Sequence, residues 1–156
     1  MLEEKYKDTL TDLINEELNS GKAFCFVVST VSMLPLIKPE DEIVLRKHPL
    51  NTLKRGDVVV FEKYRELYTH RLLYRRMSGS KIELITKGDN SFIADEAISE
   101  KDLLGKVIRI KRDNKSINLE SKFWKIVNSL AGTLSYLEWM IFGLLRGCKR
   151  LILKYE

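Results

Sequence analysis

Between residues 23 and 119 the chain is a succession of short β-branched and aromatic runs, each closed by a turn signal. The runs occupy 23–30, 42–46, 57–62, 67–76, 81–86 and 103–111. Pro35, Pro39, Pro49, Arg55-Gly56-Asp57, Ser78-Gly79-Ser80 and Gly88-Asp89-Asn90 punctuate them. No helical period survives between the turns. The stretch therefore makes strands, and strands at such spacing form a barrel-like or sandwich fold. The expected class is mainly β: a compact β domain over 22–122, an N-terminal helix over 1–21 and a helical segment over 123–156. A chain of 156 residues holds one such domain with helical appendages.

The two ends follow a different period. Leu2, Tyr6, Leu10, Leu13, Ile14 and Leu18 recur at steps of three and four, and Asn19-Ser20-Gly21 supplies a stop. That stripe predicts an amphipathic helix packed on the domain. Its acidic start and spaced apolar residues lack the pattern of a secretory signal. Residues 126–145 read IVNSLAGTLSYLEWMIFGLL, and about 20 residues suffice to cross a bilayer. Asn128, Ser129, Ser135 and Glu138 interrupt the run. A carboxylate at mid-span costs about 2.5–3.5 kcal/mol. Trp124, Tyr136 and Trp139 are candidate interface anchors, and Arg146, Lys149 and Arg150 make a basic flank. The favoured placement is a helix lying on a membrane surface; the alternatives are a spanning helix and a helix packed on its own domain. The expected location is membrane-associated, on a side the sequence leaves open, with a cytoplasmic protein as the alternative.

Composition narrows the chemistry. Lys and Arg number 27 against 22 Asp and Glu, an excess too thin for the basic stripe of a nucleic-acid binder, so no nucleic acid is expected. Two cysteines and two histidines make neither a disulfide framework nor a metal cage, so no metal and no cofactor are expected. Cys25 reads as core, and Cys148, among basic residues, as an acylation site if it reaches a membrane.

Three short stretches can carry a reaction. Thr30-Val31-Ser32-Met33-Leu34-Pro35 ends a strand at a hydroxyl-rich corner, where a serine can present its Oγ and its N–H to a carbonyl. Tyr68-Thr69-His70-Arg71 puts an imidazole within a strand, and a neutral imidazole is the usual base for a serine. Gly88-Asp89-Asn90 is turn chemistry, with Asp95 six residues beyond Asp89. One carboxylate can brace the turn while the other holds a histidine's second nitrogen. His48, between Lys47 and Pro49, reads as a loop residue.

In this order the stretches resemble the type I signal peptidases, membrane-bound serine proteases of the S24/S26-like superfamily. TVSMLPLI is similar to their nucleophile box, Ser-x-Ser-Met-x-Pro-x-Ile, with the second serine at Ser32. KRGDVVVF at 54–61 resembles their Gly-Asp-hydrophobic strand, and THRLL the histidine box of the branch found in archaea and the endoplasmic reticulum. TKGDNSFIAD resembles their Thr-Lys-Gly-Asp-Asn box, and Leu104-Gly105-Lys106-Val107 their closing strand. The likeness covers about residues 27–110.

The resemblance implies a signal-peptidase/LexA-like β fold. It makes Ser32 the nucleophile, His70 the base and Asp95 its orienting partner, and it leaves Asp89 as a loop brace with a share in catalysis. It implies an oxyanion hole from the Ser32 N–H and the Thr30 hydroxyl, where the family usually has serine. The implied substrate is a precursor peptide held as an extended strand, with small residues such as alanine before the cut. The family's usual transmembrane helix before the nucleophile strand is replaced here by the amphipathic helix. Two other readings stand beside this one: a soluble processing or self-cleaving LexA/UmuD-like peptidase, and an inactive membrane-surface module. The self-cleaving relatives use lysine where this chain has His70, and residues 1–31 hold no Ala-Gly cleavage site.

Overall fold

The computed structural model describes residues 2–152, and their side chains over 11–146. Leu2, Tyr6 and Leu10 of the N-terminal stripe, and the side chains of Cys148, Lys149 and Arg150, lie outside the described residues. Helix α1 (Leu2–Asn19) leads into strand β1 (Phe24–Val27) and strand β2 (Glu42–Arg46). A short 3-10 turn (Leu50–Thr52) precedes β3 (Val58–Lys63), β4 (Glu66–Ser78), β5 (Lys81–Lys87), β6 (Leu103–Arg112) and β7 (Lys115–Asn118). Helix α2 (Lys122–Ile152) follows. The class is mainly β, with a helix at each end, as the sequence predicts.

The seven strands form one antiparallel sheet in the order β1-β2-β6-β3-β4-β5, with β7 on β6. Strand β3 explains the sheet's shape. Its run Val58-Val59-Val60-Phe61 has no polar alternation because both faces are buried. Val58 and Val60 enter one core with Ile43, Val107 and Ile110, while Val59 and Phe61 enter a second with Leu72, Leu84 and Leu103. Ile14 and Leu18 of α1 are fully buried in the first core, whereas Leu13 of the same stripe is half exposed.

Three expectations need correction. The first run stops as a strand at Val27, because Val28 leaves the ladder to bond the chain at 40–41: its N–H reaches Asp41 O, and the Glu40 N–H reaches Val28 O. Cys25 is exposed rather than in the core. Strand β7 has no counterpart in the sequence reading. Lys-Ser-Ile-Asn carries one apolar residue, and a two-residue turn with Asp113 at φ 50° folds it back on β6.

Helix α2 packs along the β domain. Among the described residues no helix, α2 included, is long and apolar enough to cross a membrane. Of the four residues that interrupt the apolar run, Asn128 and Ser135 are buried against the β domain, Glu138 reaches Lys87, and Ser129 is exposed. Backbones touch where the helix passes Gly56. A Cβ there would lie 2.0 Å from the Asn128 carbonyl oxygen, and one on Gly132 would lie 2.5 Å from the Gly56 Cα. Tyr136 and Trp139, expected at a lipid interface, instead pack on Tyr74 of β4, and the Arg55 guanidinium sits 4.6 Å above the Tyr136 ring. Trp124 lies against the rim of the first core.

Candidate active site

The Ser32 corner is held from below. Met33 and Ile37 sink into the first core, the Ile37 N–H donates to Met33 O at 3.0 Å, and the Leu34 N–H to Val31 O at 3.3 Å. Ser32 is therefore lifted to the rim of the sheet, half-buried, between exposed Val31 and buried Met33. Its Oγ lies 3.3 Å from Thr30 Oγ1. Its carbonyl accepts the Asn90 N–H at 2.9 Å, which ties this corner to the 88–95 loop.

His70 stands in β4 opposite Val59 of β3. Its ring meets Phe61 and Tyr68 edge-on, at centroid distances of 6.0 and 5.8 Å, so its plane is fixed by packing. Nδ1 lies 2.7 Å from Asp95 Oδ2, and the same oxygen accepts the Thr86 hydroxyl at 2.6 Å. A carboxylate accepts only, so Nδ1 carries the proton and Nε2 presents its lone pair. Asp95 is held in turn by its own N–H, which donates to Thr86 O at 2.8 Å.

Gly88 shows what Nε2 faces. A Cβ at that position would lie 2.8 Å from Ser32 O, 3.3 Å from His70 Nε2 and 3.4 Å from Ser32 Cβ. Ser32 and Nε2 thus border one point, and only a residue without a side chain leaves it open. The hydrogen-bond neighbour of Ser32 Oγ in this arrangement is Thr30, not His70; catalytic bonds of free enzymes commonly tighten only around substrate.

Asp89 takes the other job. Arg71 grips it from both ends, Nε to Oδ1 and Nη2 to Oδ2, each at 2.7 Å. With both oxygens so engaged, Asp89 braces the loop and stands apart from the His70–Asp95 pair. Arg71 itself is 2% exposed; its Nη1 donates to Gly56 O at 2.8 Å and to Asn128 Oδ1 of α2 at 3.0 Å. Lys87, fully buried, donates to the Ser91 carbonyl and, at 3.0 Å, to Glu138 of α2. The sequence reading gave Arg71 and Lys87 no role. The signal available for Lys87 was Glu138, an acid inside an apolar run that needed a cation.

Beside Thr30 and Thr69 a cavity of about 360 Å³ opens between α1, β1 and the start of β4. Thr11 and Ile14 of α1, Phe24, Phe26, Val28 and Leu67 line it. Two strand edges look into it. Strand β1 ends the sheet, and β5 pairs with β4 only from Arg71 onward, so residues 66–70 pair with β3 alone within the sheet. Among the described residues no group of three or more His, Cys, Asp or Glu side chains is placed to hold a metal ion.

A family model described as Peptidase S24-like matches residues 2–108. The match takes in α1 and all of Thr30, Ser32, His70, Asp89 and Asp95, and ends before α2. No curated protein matches the chain.

Proposed function

The chain belongs to the S24-like peptidase family, and from that premise we propose that it is a serine endopeptidase of the His-type, signal-peptidase-like branch, cutting a leader-type precursor peptide. The observation that carries this reading is the 2.7 Å bond from His70 Nδ1 to Asp95, with Nε2 turned to the space Gly88 leaves beside Ser32. In the proposed reaction Ser32 Oγ attacks the scissile carbonyl as its proton passes to His70 Nε2. Asp95 stabilises the imidazolium through Nδ1–H. The oxyanion takes hydrogen bonds from the Thr30 hydroxyl and the Ser32 N–H; one such donor is typically worth about 2.7–4 kcal/mol. The imidazolium then protonates the leaving amine, and water, activated by the same histidine, frees the acyl group from Ser32.

The substrate lies as an added strand in the cleft between the β1 and β4 edges, its side chains entering the cavity lined by Phe26, Val28 and Leu67. A second reading, self-cleavage in the LexA manner, draws support from the family match and from α1, which borders the same cleft through Thr11 and Ile14.

Both readings are tested by incubating wild type and Ser32→Ala with precursor peptides carrying Ala-x-Ala before the cut. Products are identified by mass. Cleavage in trans that Ser32→Ala abolishes supports the endopeptidase. A cut within the protein's own chain, at a rate independent of protein concentration, supports self-processing. Turnover by Ser32→Ala at the wild-type rate refutes both.

A further inference from the structure

An ordinary surface helix buries its apolar stripe and shows water its polar one. Helix α2 packs Trp124, Tyr136 and Trp139 on the β domain yet leaves a second apolar stripe uncovered. Asn128, Gly132 and Ser135 face the β domain, while Ile126, Leu130, Leu134, Leu137, Ile141 and Leu144 stand 41–67% exposed on the opposite side. At about 1.5 Å per residue this outward ridge runs some 27 Å without a break. On the domain-facing side of the helix Phe142 stacks on exposed Phe92 at 5.5 Å, which ties α2 to the loop that carries Asp89 and Asp95. A patch of this extent is an interaction surface.

Charge identifies what covers it. Lys122 and Lys125 are exposed at one end of the ridge and Arg146 at the other, where the sequence adds Lys149 and Arg150. The single acid between residues 122 and 152 is Glu138, and Lys87 neutralises it from the domain side. A second copy of the chain would meet this ridge with basic ends against basic ends in either orientation. A surface that is apolar beneath and anionic above matches both features at once.

We propose that the outward face of α2 docks flat on an anionic lipid surface. The proposal does not rest on the catalytic reading, since it concerns binding alone.

The test is co-sedimentation of the full wild-type chain with vesicles of phosphatidylcholine, alone and mixed with phosphatidylglycerol. The expected result is binding to the mixed vesicles that weakens with salt. Leu134→Glu/Ile141→Glu should bind at least tenfold more weakly. These side chains already face outward, so the melting temperature should hold. If that variant misfolds, Leu130→Ser/Leu137→Ser serves in its place, with the same expected loss. Lys122→Gln/Lys125→Gln/Arg146→Gln should lose the preference for anionic over neutral vesicles. A wild-type chain that ignores both kinds of vesicle overturns the proposal. So does a stable dimer in solution that Leu134→Glu/Ile141→Glu dissociates, since the ridge would then be an interface between copies.

Discussion

Asp95 and Asp89 sit six residues apart on one loop and meet opposite partners. Asp95 accepts from Thr86 and from His70 Nδ1, whereas both oxygens of Asp89 are held by Arg71. Their substitution should therefore fail in different ways. Asp95→Asn leaves the fold in place and offers Nδ1 an amide that can bind it as a donor. The imidazole then adopts the wrong tautomer, and kcat should fall by about 10⁴, the loss typical of such an exchange. Arg71→Met, by contrast, leaves the Asp89 carboxylate, 13% exposed, without its cation. Removing one partner of a buried pair costs about 3–5 kcal/mol, so this variant should lose stability in urea unfolding. Ser32, His70 and Asp95 were singled out because the stretches that hold them, in this order, resemble the family's boxes; each alone is a weak signal. Arg71 and Lys87 were not singled out. A basic residue in a strand reads as surface, and what buries these two is partners 18 and 51 residues away.

At the scale of elements, close backbone approach decides as much as side-chain chemistry. Gly88→Ala would drive a methyl to 2.8 Å from Ser32 O and 3.3 Å from His70 Nε2. The expected outcome is loss of cleavage with the β domain still folded, checked by activity beside circular dichroism. Gly56→Ala would put a methyl 2.0 Å from the Asn128 carbonyl, at a residue whose φ of +91° already favours glycine. That substitution should displace α2 and lower the melting temperature, at a cost on the order of 2 kcal/mol or more. Most strands were readable from turn signals and β-branched runs. Strand β7 was not, because its polar sequence takes its place only by pairing with β6. Helix α2 was readable as a helix but not in its orientation. Periodicity tells which residues share a face, and only the contacts with Gly56, Tyr74 and Lys87 tell which face turns inward.

For the whole molecule, the ion pair between Arg112 and buried Asp41 contributes to the response to acid. Asp41, 2% exposed, is held by Arg112 and by the Lys38 N–H. The Arg112 hydrogen bond keeps its carboxyl below the ordinary carboxylate range. A carboxyl depressed in the folded state stabilises the fold above the unfolded value, near pH 3.9, and that stabilisation drains away as pH falls through the lower folded value. Wild type should thus lose stability on acidification below about pH 4. Arg112→Met should be less stable by about 2–3 kcal/mol at neutral pH and approach wild type in acid, as urea titrations across the range would show. The same whole-molecule view makes the catalytic proposal one of cooperation: the Ser32 corner, the His70 strand and the Asp95 loop come from three parts of the chain and meet around Gly88. The most direct test is kcat/KM on one cleaved precursor peptide for wild type, Ser32→Ala, His70→Ala and the double variant. Groups that act as a unit lose their effect together, so each single variant should fall by at least about 10⁴ and the double should fall no further. Near-wild-type turnover in either single variant, or losses that multiply in the double, would contradict the account.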